Sequence, residues 1–222
     1  MFRNEVSEFI YKRTYARWLE EEKRREEWPE TVDRFISFLK LERGKLIPEK
    51  AYRKIEKYLL EFAVMPSMRF LWAAGLPASR DNTVIYNCSF AKMNCIDAFA
   101  ECLQILMCGT GFGFSVEKEE VKKLPKIPEI KSGRNKPLSI IEDSREGWAN
   151  SVRTLMTSLY EGQNIYFDYS QLRPEGARLI TMGGRSSGPQ PLIKLHDFIR
   201  ETMHNAQGRR LSTLEVHDVT NQ

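Results

Sequence analysis

No apolar run in this 222-residue chain approaches the ~18 residues that a bilayer-spanning helix needs. The first residues, MFRNEVSEFIYKR, also lack the apolar core of a secretory signal. We therefore expect no membrane partner, no secretion and a cytoplasmic location.

Cysteine and histidine are scarce and are not spaced for metal binding. The four cysteines (88, 95, 102 and 108) include no Cys-x-x-Cys pair, and the three histidines have no metal-ligand spacing. We predict no metal site, and without a secretory signal we expect no disulfide scaffold. The formal net charge of +4 is too small to indicate a nucleic-acid partner.

The composition is that of a globular protein, and the N-terminal part is predicted to be helical. Hydrophobic residues make up 41% of the chain and charged residues 29%, which excludes disorder of the whole chain. Within residues 1–65, helices are expected to begin at Pro29 and Pro48, because proline favours the first turn. An earlier helix carries a stripe of Tyr11, Tyr15 and Trp18. The charge run at 20–27 is interpreted as a solvated helical face.

After Val64 the pattern changes to short apolar runs separated by glycine, proline and asparagine, which indicates alternating strands, loops and helices. We predict a strand at 84–90, a helix capped by Asn94, and a glycine turn within 108–117 that leads into a strand. Residues 118–138, rich in lysine, glutamate and proline, are expected to form a surface connection.

Two capping patterns predict later helices. Asp143 with Glu146 and Ser212 with Glu215 both have capping-box spacing. The second pattern lies close to Gln222, and a helix this short is marginal unless it is packed. We therefore expect the sequence to be cut inside a fold, with a frayed terminal helix as the alternative.

Cys88 is the candidate reactive thiol. It lies at the end of the predicted strand, between Asn87 and Ser89, where a thiol can face a cavity and act as a redox group or nucleophile. The alternative is a small buried hydrophobic residue. Cys95 and Cys102 belong to the apolar stripe of the next helix and are expected in the core.

Two glycine-rich segments are candidates for ligand contact. The segment 109–113 lacks the lysine and Ser/Thr of a phosphate loop and precedes a strand, so neither nucleotide fingerprint applies. Close approach of a ligand to its backbone and a simple tight turn both stay open. The segment 183–189, GGRSSGP, has amides, hydroxyls and a guanidinium that suit a phosphate, with a mobile surface loop as the alternative.

Seven segments taken in order carry a resemblance to a known family. They are YKRTYARW (11–18), MPSMRFLWAAG (65–75), YNCSF (86–90), CGTGFGFSVE (108–117), EDSREGW (142–148), LRPEGARL (172–179) and GGRSSGP (183–189). The series resembles the class II ribonucleotide reductases, and closely the monomeric adenosylcobalamin-dependent ribonucleoside-triphosphate reductases. The similarity runs along nearly the whole chain.

The resemblance implies an α/β fold. Such enzymes are built on a ten-stranded α/β barrel made of two five-stranded halves. Residues 1–65 would be the N-terminal helical region. Residues 66–222 would be the first half-barrel with effector-site helices, truncated before the finger loop that carries the radical cysteine.

The resemblance also implies a reaction and a cofactor. In this family adenosylcobalamin generates a thiyl radical on the finger-loop cysteine, and that radical abstracts the 3′-hydrogen of the ribonucleotide. Cys88 matches the catalytic redox thiol that, with a partner thiol, reduces the 2′ position and becomes a disulfide. Adenosylcobalamin is expected to be bound mostly by the missing half.

The remaining site assignments rest on the same resemblance. Substrate contacts are implied for Met65, Ser67, Asn87, Gly109, Thr110 and Gly111. Effector contacts are implied for Asp143, Arg173, Arg185, Ser186 and Ser187. Position 65 departs from the Thr-Pro that the family often has, so a backbone contact is expected there in place of a hydroxyl contact.

The family's later motifs are not in this sequence, among them the Asn-x-Cys-x-Glu finger loop and the partner redox cysteine. The preferred interpretation is the N-terminal part of a split reductase, completed by a complementary C-terminal polypeptide. Its other partners would be a ribonucleoside triphosphate substrate, a deoxynucleotide effector and a thioredoxin-like reductant. The alternative is a catalytically inactive remnant or a nucleotide-binding fragment.

Overall fold

The computed structural model of the chain describes residues 2–131, 138–181 and 183–222. Internal contacts separate two compact units, which are described in turn. The first consists of Met1–Asn87 with Leu179–Gly184, and the second of Cys88–Arg178 with Arg185–Gln222. Within the described ranges, no helix is both long and apolar enough to cross a membrane.

The first unit is mainly helical. Its elements in chain order are α1 (Glu5–Thr14), β1 (Trp18–Leu19), β2 (Arg24–Arg25), α2 (Trp28–Arg43), a 3-10 turn (Gly44–Leu46), α3 (Glu49–Leu60), α4 (Met68–Ala73), α5 (Leu76–Arg80) and a second 3-10 turn (Asn82–Ile85). The predicted helix starts at Pro29 and Pro48 are confirmed, because Pro29 lies in the first turn of α2 and Pro48 caps α3.

The segment between α1 and α2 differs from its prediction. Helix α1 ends before Tyr15, and Trp18 begins β1, so the predicted helical stripe does not continue. The charge run at 20–27 is solvated as predicted except at Glu26, which is only 3% exposed, but it is not helical, since it contains β2, which pairs antiparallel with β1. Burial of this carboxylate requires a charged partner, and Arg34 supplies it.

Arg34 forms a two-pronged ion pair with Glu26, with N–O distances of 2.7 and 3.0 Å. Thr31 donates a third hydrogen bond to the same carboxylate at 2.8 Å. Burial raises the pKa of the Glu26 carboxyl, but the guanidinium, the Thr31 hydroxyl and the Arg17 amide outweigh burial and bring the pKa below its ordinary value. The pair is therefore charged in the folded protein.

The two arginines of this network also hold α4. The last carbonyls of a helix have no partner within it. Arg34 donates to the carbonyls of Leu71 and Ala74 at 3.0 and 2.8 Å. Arg17 donates to the carbonyl of Trp72 at 2.9 Å. The helix that follows residues 65–67 is thereby fixed to the N-terminal helices.

The second unit combines helices with two pairs of parallel strands. Its elements are β3 (Cys88–Lys92), α6 (Ile96–Met107), β4 (Gly111–Ser115), α7 (Lys118–Val121), β5 (Leu138–Ile140), α8 (Arg145–Tyr160), β6 (Tyr166–Asp168), α9 (Gln190–Asn205) and α10 (Thr213–Asn221). Strands β3 and β4 pair in parallel with α6 between them in the chain, and β5 and β6 pair in parallel with α8 between them. Each trio is a βαβ unit.

The core of this unit lies where α6, α8 and α9 pack against each other. Its largest fully buried side chains are Met93, Leu124, Ile127, Leu155, Met156, Leu159, Leu192, Ile199 and Met203. The segment 118–138 is therefore not the predicted surface connection over its described part, 118–131 and 138. Its apolar residues recur every third position and point into the core. Residues 132–137 lie outside the described residues.

Three predicted boundaries are corrected. The strand predicted at 84–90 is confirmed only from Cys88, where β3 starts, because Val84 and Ile85 belong to the second 3-10 turn. Cys95 caps α6, while the Asn94 amide donates to Glu120 at 2.9 Å. Ser144 rather than Asp143 caps α8, since its hydroxyl accepts from the Gly147 amide at 2.8 Å. The predicted box of Ser212 with Glu215 is confirmed.

Candidate functional site

The Cys88 thiol lies on an exposed strand face bordered by glycine. Cys88 is the first residue of β3, is exposed, and pairs in register with Gly111 of β4. Alternation puts Cys88 and Phe90 on one face, and on the neighbouring strand Gly111 and Gly113 share it. The two glycines leave the part of β4 opposite Cys88 and Phe90 without side chains on this face, so β4 does not cover the thiol there.

The glycine segment before β4 has a structural cause of its own. Gly109 has φ +74°. Its amide donates to the Leu106 carbonyl at 2.7 Å, and the Thr110 amide donates to the Ile105 carbonyl at 3.3 Å. This is a Schellman ending of α6, which favours glycine. Thr110 is 1% exposed, so Gly111 is the member of the predicted trio that lies on the face of Cys88.

The other three predicted substrate residues belong to the first unit. Met65 is 44% exposed. The Ser67 hydroxyl caps α4 by accepting from the Phe70 amide at 3.4 Å. Asn87 is exposed and directly precedes Cys88 in the chain.

Two of the predicted effector residues contact each other. The guanidinium Nε of Arg173 lies 2.7 Å from Asp143 Oδ2, and its Nη2 also donates to the Asp143 carbonyl at 3.3 Å. Both side chains are about one-third exposed, at 37% for Arg173 and 33% for Asp143. The arrangement leaves the pair within reach of a ligand in solvent.

The other three predicted effector residues, Arg185, Ser186 and Ser187, follow a tight backbone turn. Ser186 exchanges backbone hydrogen bonds with Gly176 and Ala177, at 2.9 and 2.7 Å. The Arg185 guanidinium donates to the Gly176 carbonyl at 2.9 Å. The Ser186 hydroxyl accepts from the Gly188 amide at 3.0 Å. These bonds give the described part of GGRSSGP a defined conformation; Met182, just before it, lies outside the described residues.

The remaining cysteines have distinct surroundings. Cys102 is buried as predicted, and burial raises its pKa to about 11, so it is a poor nucleophile at neutral pH. It lies beside an apolar cavity of about 260 Å³ among α6, α8, α9 and α10. Cys95 is exposed, which contradicts its predicted core position. Cys108 is buried, and the Arg145 guanidinium donates to its sulfur at 2.9 Å.

A buried histidine was not singled out from the sequence. His196 is fully buried, and its two ring nitrogens contact the Ser151 and Tyr169 hydroxyls at 3.0 and 2.7 Å. Burial, with a further contribution from Arg200, lowers its pKa to about 3. These partners are 45 and 27 residues away, so no local spacing indicates them.

Two parts of the chain match family domains. Residues 1–76 match the ribonucleotide reductase alpha domain, and residues 121–203 match the insertion domain of B12-dependent ribonucleotide reductases. All five predicted effector residues lie within the second match.

Curated relatives and a solved structure agree with these matches. The adenosylcobalamin-dependent ribonucleoside-triphosphate reductases of Euglena gracilis and Levilactobacillus brevis are 29% and 27% identical, each over 98% of this chain. A crystal structure described as a B12-dependent (class II) ribonucleotide reductase has a TM-score of 0.83 at 26% identity, over 96% of this chain. The chain spans 32%, 38% and 39% of these three proteins.

The domain matches and the shared fold define this chain as part of a ribonucleotide reductase. Within that class it belongs to the B12-dependent, class II type and corresponds to an N-terminal portion of it. The α/β fold expected from the sequence is confirmed.

Proposed function

We propose that this chain supplies the N-terminal part of the catalytic site of an adenosylcobalamin-dependent ribonucleoside-triphosphate reductase. The observation that carries the proposal is the exposed Cys88 thiol beside Gly111. The relatives' names supply the substrate class and the cofactor. Because the chain spans about a third of those relatives, the activity requires the remaining portion of the reductase as a partner.

In the proposed reaction Cys88 is one of two reducing thiols. A thiyl radical carried by the remaining portion removes the 3′-hydrogen of the ribonucleotide and returns it after reduction. The 2′-hydroxyl is protonated and leaves as water. Cys88 and a partner thiol supply two electrons and two protons and form a disulfide, and a thioredoxin-like dithiol then reduces that disulfide. The missing side chain at Gly111 allows the ribose to approach the thiol.

The described residues of each unit, taken separately, provide no site that fits adenosylcobalamin. The apolar cavity of the second unit has a volume of about 260 Å³, and a cavity of the first unit beside Tyr11 and Trp28 has about 450 Å³. Both lie far below the upper end of the ~300–1,000 Å³ of drug-sized ligand sites, and a corrinoid is larger than a drug-sized ligand. In the described ranges no three His, Cys, Asp or Glu side chains are grouped as a metal site. None of the described residues is therefore proposed as a cofactor contact.

The other assignments complete the proposal. Residues 1–65 form the helical N-terminal region, and residues 66–222 contribute the first half-barrel. Met65, Ser67 and Asn87 are the proposed substrate contacts in the first unit. Gly109, Thr110 and Gly111 are those proposed in the second unit. Arg173 and Arg185 offer guanidinium groups for the phosphates of a deoxynucleotide effector, next to Asp143 and the hydroxyls of Ser186 and Ser187.

The proposal is tested by reconstitution with a matched cysteine control. This chain is combined with a polypeptide that covers the remaining portion of a class II reductase, adenosylcobalamin, a ribonucleoside triphosphate and a dithiol. Deoxynucleotide is expected with both chains and not with either alone. Cys88→Ser should abolish multiple turnover while association is kept, whereas Cys95→Ser, at the other exposed cysteine, should turn over normally.

Two results would contradict the proposal. Normal turnover of Cys88→Ser with a physiological dithiol would remove Cys88 from the redox role. Stable folding of this chain with neither association nor turnover would favour the inactive remnant or nucleotide-binding fragment.

A further inference from the structure

Arg145 and Cys108 form a contact between two helices that the proposed chemistry does not use. Arg145 is the first residue of α8, and its Nη1 lies 2.9 Å from the Sγ of Cys108, the residue that caps the end of α6. Cys108 is completely buried. The guanidinium therefore ties the start of one helix to the interior end of another.

The glycine segment beside Cys88 comes directly after Cys108 in the chain. Cys108 is followed by Gly109 and Thr110, whose amides bond back to α6, and then by Gly111, which pairs with Cys88. Three covalent steps thus separate Cys108 from the strand residue opposite the redox thiol. Since the Schellman ending leaves this short segment little freedom, a shift of Cys108 is passed to Gly111.

The chain that precedes Arg145 carries a candidate effector residue. Asp143 lies two residues earlier and bonds to Arg173 at 2.7 Å, and Ser144 between them caps α8. The Asp143–Arg173 pair therefore lies directly before the first turn of α8 in the chain. Arg145 is the residue of that turn whose side chain bonds to the end of α6.

The opposite end of the same helix pair offers a comparison. Arg153 of α8 bonds to Asp97 near the start of α6, with an Nε–Oδ1 distance of 2.6 Å. Helices α6 and α8 are thus antiparallel, and an arginine of α8 contacts each end of α6. The Arg153 contact lies at the end of α6 far from the glycine segment.

We propose that Arg145 is a positioning residue. Its hydrogen bond to the Cys108 sulfur sets the placement of residues 109–111 against Cys88, and through it the effector region acts on the redox thiol. The effector part of this inference rests on the proposed function, whereas the placement of Cys88 does not.

The test measures the alkylation rate of Cys88 in the complete chain by iodoacetamide, with and without dATP. Trypsin cleavage after Arg80 and Lys92 leaves Cys88 alone on peptide 81–92, while the other three cysteines share peptide 93–118. Arg145→Gln is compared with Arg153→Gln, which removes the arginine at the far end. Arg145→Lys keeps a donor and tests rescue.

Arg145→Gln should change the alkylation rate of Cys88 by about twofold or more and abolish its response to dATP, as expected for a residue that couples two sites. Arg153→Gln should keep both the rate and the response, and Arg145→Lys should restore them in part. If Arg145→Gln keeps both the Cys88 alkylation rate and the dATP response of the parent chain, the inference is overturned. If dATP has no effect on the parent chain but Arg145→Gln changes the basal rate, the positioning role stands and the proposed effector site fails.

Alkylation of the buried Cys102 reports whether each variant is folded. If Arg145→Gln exposes Cys102, that variant is not folded, and two substitutions of Cys108 test the inference instead. Cys108→Ser keeps an acceptor for Arg145 and should leave the Cys88 rate near that of the parent, whereas Cys108→Ala should change it. Equal rates in these two variants would overturn the inference.

Discussion

His196 shows how a single residue can couple stability to pH. Its ring is fully buried, with both nitrogens in hydrogen bonds to hydroxyls, and its folded pKa of about 3 lies well below the ordinary 6.5. The histidine is therefore neutral in the folded chain at any pH above about 3. The unfolded chain binds a proton near pH 6.5.

We predict that stability falls as the pH drops below 6.5. Above that value the imidazole is neutral in both states and contributes no pH dependence. Below pH 6.5 the His196 imidazole binds a proton in the unfolded state but not in the folded state. The free energy of unfolding therefore falls by up to ~1.4 kcal/mol per pH unit. Urea denaturation between pH 7 and 5 measures the slope, in a range where most carboxylates stay charged.

His196→Gln should lose the part of this slope that lies between pH 6.5 and 5. His217→Gln, at an exposed histidine, should keep it. A slope in His196→Gln equal to that of the parent would show that another group causes the pH dependence.

At the scale of the elements, the ion pair of Glu26 with Arg34 connects the residue after β2 with helix α2. The same arginine also bonds to the end of α4. Its side chains are 4% and 16% exposed, so solvent screens it little. We predict that Glu26→Ala destabilises the first unit by about 3–5 kcal/mol, because the arginine is left buried without its counter-charge. Thermal or urea unfolding, followed by tryptophan fluorescence, measures the change.

Glu22→Ala is the matched control, at an exposed glutamate of the same charge run. It should change the free energy of unfolding by less than about 0.5 kcal/mol. Equal effects of the two substitutions would mean that the buried pair contributes no more than a surface charge.

Elements with local signals were predictable. Helix α2 begins at a capping box with Pro29 in its first turn, and Ser212 with Glu215 marks α10. Signals that depend on distant partners were not. Glu26 lies in a run of charges, and only Arg34, packed against it in the fold, shows why it is buried. The start of β3 at Cys88 depends likewise on pairing with β4.

One missed feature did have a local signal. Val121, Leu124, Ile127 and Ile130 recur at every third position among lysines and prolines, and all four are buried. Composition suggested a surface segment, whereas periodicity pointed to a core-facing one. In the candidate site, the predicted strand end indicated Cys88, and the resemblance supplied its proposed redox role. Neither the Arg145–Cys108 contact nor the Schellman role of Gly109 could be predicted from residue spacing.

On the scale of the whole molecule, the chain spans about a third of its relatives and exposes an aromatic side chain next to the candidate thiol. Phe90 shares the exposed face of β3 with Cys88 and is 66% exposed. A single exposed aromatic residue does not by itself mark an interface, but its place beside Cys88 makes Phe90 the side chain to test. In the proposed reductase, the remaining portion of the enzyme covers this face.

We predict that Phe90→Ser weakens binding to the remaining reductase polypeptide by about tenfold or more, as truncation of a buried aromatic anchor does. Leu41→Ser serves as the control, because Leu41 is 77% exposed on α2 of the other unit. Immobilised chain and titrated partner give both dissociation constants, and alkylation of Cys102 verifies the fold. An unchanged constant for Phe90→Ser would place the partner's contacts away from this face of β3 and would contradict the proposal that the partner covers the surface around Cys88.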